Sequence, residues 1–144
     1  MGSIVVGVDG SKGSEGALRF ALAEARLRGA GLRVVCAWAT PAAAYAGLAY
    51  VPTFDLREVE EQAAAEKLQA ARAVLGDDPG VTVELIAVEG HPADALLSQA
   101  QGADMLVVGS RGLGGFSSLL LGSISQQVAH HAPCPVAIIP HQAD

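Results

Sequence analysis

The chain has 144 residues, 51% of them hydrophobic, with 9 Lys and Arg against 15 Asp and Glu for a formal net charge of −6. This length fits a single domain over residues 1–144 and is sufficient for a hydrophobic core. The negative charge argues against nucleic acid or an anionic membrane as the main partner, because phosphate groups attract basic surfaces. The N-terminus lacks a secretion-signal pattern and no apolar run reaches 18 residues, so we expect a cytoplasmic protein without a membrane span.

Short apolar runs alternate along the chain with segments of helical periodicity. The run 4–8 predicts a first strand, and apolar residues at helical spacing then predict a helix that closes at Gly29. The run 32–38 predicts the second strand, residues 41–54 a loop, and the periodic segment that follows a long helix ended by Gly76.

The second half of the chain repeats this alternation. Residues 81–88 predict a third strand, whose polar residues suggest a half-exposed edge, and His91-Pro92 opens a helix with proline in its first turn. Residues 104–108 predict the fourth strand and 135–140 the fifth, with a helix that ends at His131 between them. The order β-α-β-α-β-α-β-α-β predicts an open, doubly wound, five-stranded parallel sheet with helices on both faces.

Ligands of such sheets bind beyond the carboxyl ends of the strands, at the point where the strand order reverses. Two strand ends are well marked, Val8-Asp9-Gly10 and Val108-Gly109-Ser110. If the first and fourth strands are neighbours, these two ends form one crevice.

The segment after the fourth strand, residues 109–123, contains five glycines. Between a strand and a helix, such a loop is typical of a phosphate site made of backbone N–H groups and a helix N-terminus. It is not the lysine-containing phosphate loop, because no lysine occurs between residues 68 and 144. Phosphate charge would therefore be met by amides, by the hydroxyls of Ser123 and Ser125, and by Arg111 if its side chain does not point into solvent. The alternative is an ordinary Gly/Ser connection.

Asp9 is the candidate partner of a ribose. A carboxylate at a strand end can accept two charge-assisted hydrogen bonds from a ribose diol. The alternative is that Asp9 caps the helix that follows. Both roles hold if one carboxylate oxygen caps the helix and the other binds the ribose. No Asp, Glu or His lies in the glycine-rich loop to serve as a base, which argues against hydrolysis as the main activity.

These motifs resemble the nucleotide-binding branch of the universal stress protein family. Gly109-x2-Gly112, nine further residues and Gly122-Ser123 match its glycine signature, and the segments 4–11, 90–92 and 133–136 are similar to it as well. The resemblance covers essentially the whole chain and implies the sheet order 3-2-1-4-5. It implies the following nucleotide-contacting residues: Val8, Asp9, Gly10, Ala37, Val108, Gly109, Arg111, Gly112, Gly122, Ser123, Ile124 and Ser125.

The resemblance also implies a function. ATP, together with Mg²⁺, would lie between the ends of the first and fourth strands of a stress-response or regulatory protein. The alternatives are a slow ATPase and a binder of AMP or cyclic AMP. The last strand, Val136 to Ile139, is apolar on both sides, and an exposed apolar edge invites pairing. The resemblance and this pattern both point to a homodimer through that strand.

Overall fold

A computed structural model describes residues 2–40, 56–111 and 121–140. The elements in chain order are β1 (Ser3–Gly7), α1 (Lys12–Arg28), β2 (Gly31–Trp38), α2 (Leu56–Leu75), β3 (Val83–Glu89), α3 (Pro92–Gln99), β4 (Met105–Gly109), α4 (Ser123–His131) and β5 (Val136–Ile139). The predicted alternation of strands and helices is confirmed, with bounds shifted by one or two residues. The predicted loop 41–54 lies outside the described residues. No helix within the described ranges is both long and apolar enough to cross a membrane.

The strands form one five-stranded sheet in the order β3-β2-β1-β4-β5, and every pairing is parallel. At the centre of the sheet Val6 lies opposite Val34 on β2 and Val107 on β4. The predicted order is therefore confirmed, and so is the adjacency of β1 and β4 on which the crevice depends.

Each face of the sheet carries two helices, because the central strands are apolar on both sides. Val6 and Leu18 belong to a buried cluster formed with α1 and α2, whereas Val5, Leu96 and Val128 belong to a second cluster formed with α3 and α4. β3 contains only half-buried and exposed residues, which agrees with the predicted half-exposed edge strand. Buried central strands with a helix layer on each face are what a doubly wound sheet requires.

Local signals fix the helix ends next to the strands. Ser11 is the N-cap of α1 and its side chain accepts a hydrogen bond from the Ser14 amide, while Gly29 closes the helix in the left-handed region with φ of 62°. His91 precedes α3 with Pro92 in the first turn. β1 ends at Gly7, but the Val8 amide still donates to the Val35 carbonyl at 2.9 Å, so the turn that follows stays attached to the sheet.

Candidate functional site

The crevice lies where β1 and β4 end side by side. The chain leaves β1 towards α1 on one face of the sheet and leaves β4 towards α4 on the other, so the two connections diverge. Val8 and Val108 stand at these two ends and are 8% and 4% exposed. This divergence is the topological switch point at which doubly wound proteins bind their ligands.

Asp9 is held by the first turn of α1. Its Oδ1 accepts hydrogen bonds from the Ser11 amide at 2.9 Å and from the Ser11 hydroxyl at 2.5 Å. Its own amide donates to Ser14 Oγ at 3.2 Å, and the Ser14 hydroxyl in turn donates to the Ser11 carbonyl at 3.1 Å. The two hydrogen bonds from Ser11 therefore orient the carboxylate at the end of the strand.

The cap of α1 is thus Ser11 rather than Asp9. Asp9 contributes indirectly, because its carboxylate orients the capping hydroxyl. The Asp-x-Ser spacing is the sequence signal that could have revealed this arrangement, since aspartate often binds the backbone N–H two residues further on. Gly10 lies between them with φ of 86°, a conformation that side chains rarely adopt.

The glycine-rich loop is closed at its base by a neck formed by Ser110, Gly122 and Ser125. The Ser110 carbonyl accepts the Gly122 amide at 2.6 Å. The Ser125 hydroxyl is shared between the carbonyls of Ser110 and Gly122, each 3.0 Å from Oγ. Ser125 is only 2% exposed, so in this structure its hydroxyl and the Gly122 amide hold the loop closed rather than line an open surface.

The N-terminus of α4 supplies other donors. The first hydrogen bond of the helix joins the Gln126 amide to the Gly122 carbonyl at 3.0 Å, so the amides of Ser123, Ile124 and Ser125 precede it. Such amides point out of the helix end together with the positive end of its dipole. Ser123 is exposed, which leaves its hydroxyl at the surface beside these amides.

Gly109 lies against the first turn of α1. A Cβ built on Gly109 would be 3.0 Å from the Gly13 carbonyl oxygen, and one built on Gly13 would be 2.7 Å from the Arg111 carbonyl oxygen. Gly109 therefore has a packing reason to be glycine that the sequence does not reveal. Gly112, the next predicted contact, lies outside the described residues.

Apolar side chains from three elements share the α3–α4 side of the sheet near the crevice. Val108 belongs to the buried cluster on that side and Ile124 packs against it. Ala37 is half-buried next to Cys36, whose side chain joins the opposite cluster, so strand alternation turns Ala37 to the same side as Val108. The neighbouring Trp38 belongs to the α1–α2 core and is 9% exposed.

Lys67 is a cation near the site that sequence reasoning missed. Its methylene carbons lie 3.6–3.7 Å from a Cβ built on Gly10. Burial raises the pKa of the Cys36 thiol; the Lys67 charge opposes this shift and the Asp9 charge adds to it. Lys67 is on α2, about sixty residues from Asp9 in sequence, so only the packing of α2 brings the two charges near one thiol.

A small cleft lies between α1 and α2 and reaches the end of β1 at Val8 and Gly10. Leu18 and Val74 form part of its apolar lining and Lys67 part of its polar lining, and it encloses about 80 Å³. Pockets that hold small molecules are usually roughly 300–1,000 Å³. As formed by the described residues, the cleft is therefore too small to hold a whole nucleotide by itself.

The fold defines a doubly wound α/β protein with a crevice at its switch point. A sequence model of the Universal stress protein family matches residues 1–140. A universal stress protein of Thermus aquaticus is 39% identical over 139 residues, which cover 95% of this chain and 97% of that protein. This chain therefore belongs to the universal stress protein family.

Solved structures of the family are similar over nearly the whole chain. A universal stress protein in complex with cAMP is 29% identical with a TM-score of 0.71, covering 98% of both chains. The Archaeoglobus fulgidus universal stress protein in complex with dAMP is 29% identical with a TM-score of 0.68, covering 96% of this chain and 98% of that one. By contrast, this chain spans only 44% of the length of several mycobacterial relatives that it matches.

Proposed function

We propose that this protein is a cytoplasmic ATP-binding regulatory protein of the stress response. The observation that carries the proposal is the pairing of two differently charged ends in one crevice: the oriented carboxylate of Asp9 after β1 and the amides that begin α4 after the neck. A ribose and a phosphate chain need these two kinds of group. The complexes of two relatives with cAMP and dAMP support an adenine nucleotide as the ligand.

Different residues of the crevice would bind different parts of the nucleotide. Asp9 would accept hydrogen bonds from the ribose hydroxyls, since Ser11 already fixes the direction of its carboxylate. The amides of Ser123 and Ile124 and the Ser123 hydroxyl would hold the phosphates. The apolar surface of Ala37, Val108 and Ile124 would lie near the base. The remaining proposed contacts are Val8, Gly10, Gly109, Arg111 and Gly112, whereas Gly122 and Ser125 would act by fixing where α4 begins.

Mg²⁺ would enter with the triphosphate. Within the described residues there is no group of three or more His, Cys, Asp or Glu side chains that could hold a metal ion. A triphosphate supplies its own oxygen ligands, which Mg²⁺ prefers and usually shares with water. We therefore expect ATP affinity to depend on Mg²⁺ through the nucleotide.

Two measurements test the proposal. The protein is denatured after purification from its source and the released nucleotide is identified by mass, and calorimetry then follows the binding of ATP with Mg²⁺ to nucleotide-free protein. We expect ATP to be released and to rebind with a rise in melting temperature. No binding heat together with no thermal shift would contradict the proposal.

A monophosphate is the second candidate ligand, favoured by the nucleotides in the relatives' complexes. Competition between ATP, AMP and cAMP separates the two candidates: if AMP or cAMP displaces ATP at a lower concentration than ATP itself requires, a monophosphate is the ligand. Phosphate release measured in the same protein tests slow hydrolysis. Release that persists through repeated purification and disappears in Asp9→Ala would favour an ATPase.

We further propose a homodimer through β5. This strand ends the sheet as the structure describes it, where it pairs with β4 alone, and yet its four residues are all half-buried. The Ser110 amide donates to the Ile139 carbonyl, so alternation turns the backbone groups of Ile138 away from β4. A second copy of β5 could pair with those groups.

A further inference from the structure

Gly13 lies in the first turn of α1, where that helix touches the segment that follows β4. A Cβ on Gly13 would be 2.7 Å from the Arg111 carbonyl oxygen, and a Cβ on Gly109 would be 3.0 Å from the Gly13 carbonyl oxygen. Ordinary van der Waals contact of a Cβ begins at 3.4 Å. The two backbones therefore approach more closely than any residue other than glycine allows.

The backbone conformation of Gly13 gives no other reason for glycine. It is not among the glycines with positive φ, so alanine could adopt the same backbone angles. Glycine inside a helix costs stability relative to alanine. The close approach of the Arg111 carbonyl is what accounts for glycine at this position.

This contact joins the two ends of the crevice. On the α1 side, the neighbouring Ser14 accepts the Asp9 amide. On the other side, Ser110 stands between Gly109 and Arg111, and its carbonyl accepts the Gly122 amide at the start of α4. The Gly13 contact is therefore one link in the series of contacts that connects Asp9 with the N-terminus of α4.

We propose that Gly13 is a positioning residue that sets the spacing between the ribose end and the phosphate end of the nucleotide site. The inference rests on the proposed function, because it assigns those two ends to Asp9 and α4. It implies selectivity: a ligand that occupies both ends, such as ATP, depends on the spacing, whereas adenosine occupies only the Asp9 end.

Two glycine-to-alanine variants in one helix test this role. In Gly13→Ala the distance between the new Cβ and the Arg111 carbonyl oxygen must increase from 2.7 Å towards 3.4 Å, so the two segments must move apart. We expect ATP affinity to fall at least about tenfold, the effect of one lost hydrogen bond to a charged group, and adenosine affinity to change much less. Gly16→Ala is the control, because no described atom outside its own helix and chain neighbours lies within 4 Å of a Cβ there. This control should bind both ligands like the wild type.

Affinities are measured by displacement of a fluorescent ATP analogue, and folding by circular dichroism. If Gly13→Ala does not fold, Gly109→Ala tests the same contact with the milder approach of 3.0 Å and should show the same change in the ratio of ATP to adenosine affinity. An unchanged ratio in the folded variant would overturn the inference while leaving the proposed function intact. Absence of ATP binding by the wild type would overturn both.

Discussion

Substitution of Asp9 separates its structural role from its proposed ligand role. Oδ1 of Asp9 accepts two hydrogen bonds from Ser11, and asparagine can keep both because its side-chain oxygen is also an acceptor. The second carboxylate oxygen becomes an NH2 donor, which cannot accept a hydrogen bond from a ribose hydroxyl. We therefore expect Asp9→Asn to fold almost normally and to bind ATP poorly, whereas Asp9→Ala should lose both properties.

The magnitudes follow from hydrogen bonds to a charged group, each worth roughly 1.5–3 kcal/mol. Loss of one such bond from the ribose predicts about a 10- to 100-fold weaker Kd for Asp9→Asn. For Asp9→Ala, loss of the Ser11 bonds at a half-buried site predicts a decrease of about 2 kcal/mol in the free energy of unfolding. Asp9→Asn should lose less stability than Asp9→Ala, because its side-chain oxygen can keep both hydrogen bonds from Ser11.

Urea unfolding and calorimetry with ATP measure the two effects separately. Ser11→Ala is the complementary variant: it removes the capping hydroxyl, should cost about 1 kcal/mol of stability, and keeps the Asp9 carboxylate with the bond from the Ser11 amide alone. Wild-type ATP affinity in Asp9→Asn would refute the ribose assignment. Equal destabilisation by Asp9→Asn and Asp9→Ala would refute the assignment of one carboxylate oxygen to Ser11 and the other to the ribose.

Three further predictions concern the neck, a buried thiol and the sheet edge. Ser125→Ala should lower the free energy of unfolding by about 1 kcal/mol relative to Ser98→Ala at an exposed helical position, measured in urea; equal values would contradict the hydrogen bonds of the neck. Because burial raises the pKa of Cys36 above its ordinary value of 9.0, its contribution to stability is complete below that pH and is lost as the pH rises through the higher pKa of the folded state. The free energy of unfolding, measured from pH 7 to 10, should therefore fall less steeply with pH in Cys36→Ala, which keeps Cys134, than in the wild type. An unchanged slope would show that the Cys36 thiol does not cause the pH dependence. Ile138→Pro should yield monomers by light scattering while Ile138→Ala stays dimeric, and a dimeric proline variant would exclude pairing through that amide.

Local chemistry explains why much of the fold was predictable from the sequence. Short β-branched runs and the glycine at position 29 depend on neighbours within a few residues, so their patterns are visible in the chain. The sheet order followed from the family resemblance and is confirmed by the pairing of β1 with β2 and β4. The bounds shifted because hydrogen-bond pairing, rather than apolar character, decides where a strand ends.

The contacts that sequence reasoning missed are all tertiary. Gly13 meets Arg111 across about one hundred residues and Lys67 meets Gly10 across nearly sixty; neither pair has a local pattern. The interpretation of Gly122 was also incomplete. It assigned the amide to phosphate, whereas the structure directs that amide to the Ser110 carbonyl.

The residues of the glycine signature therefore fall into two groups with different physical tasks. Gly122 and Ser125 bind the Ser110 carbonyl and so fix where α4 begins, while Ser123 is exposed at the first position of that helix. A change in the first group should lower stability as well as the proposed affinity, because it disrupts hydrogen bonds of the neck. A change of the exposed Ser123 side chain should alter affinity alone. This difference gives the spacing Gly-x9-Gly-Ser a structural meaning: the glycine closes the loop, and the serine after it stands where a phosphate would meet the helix.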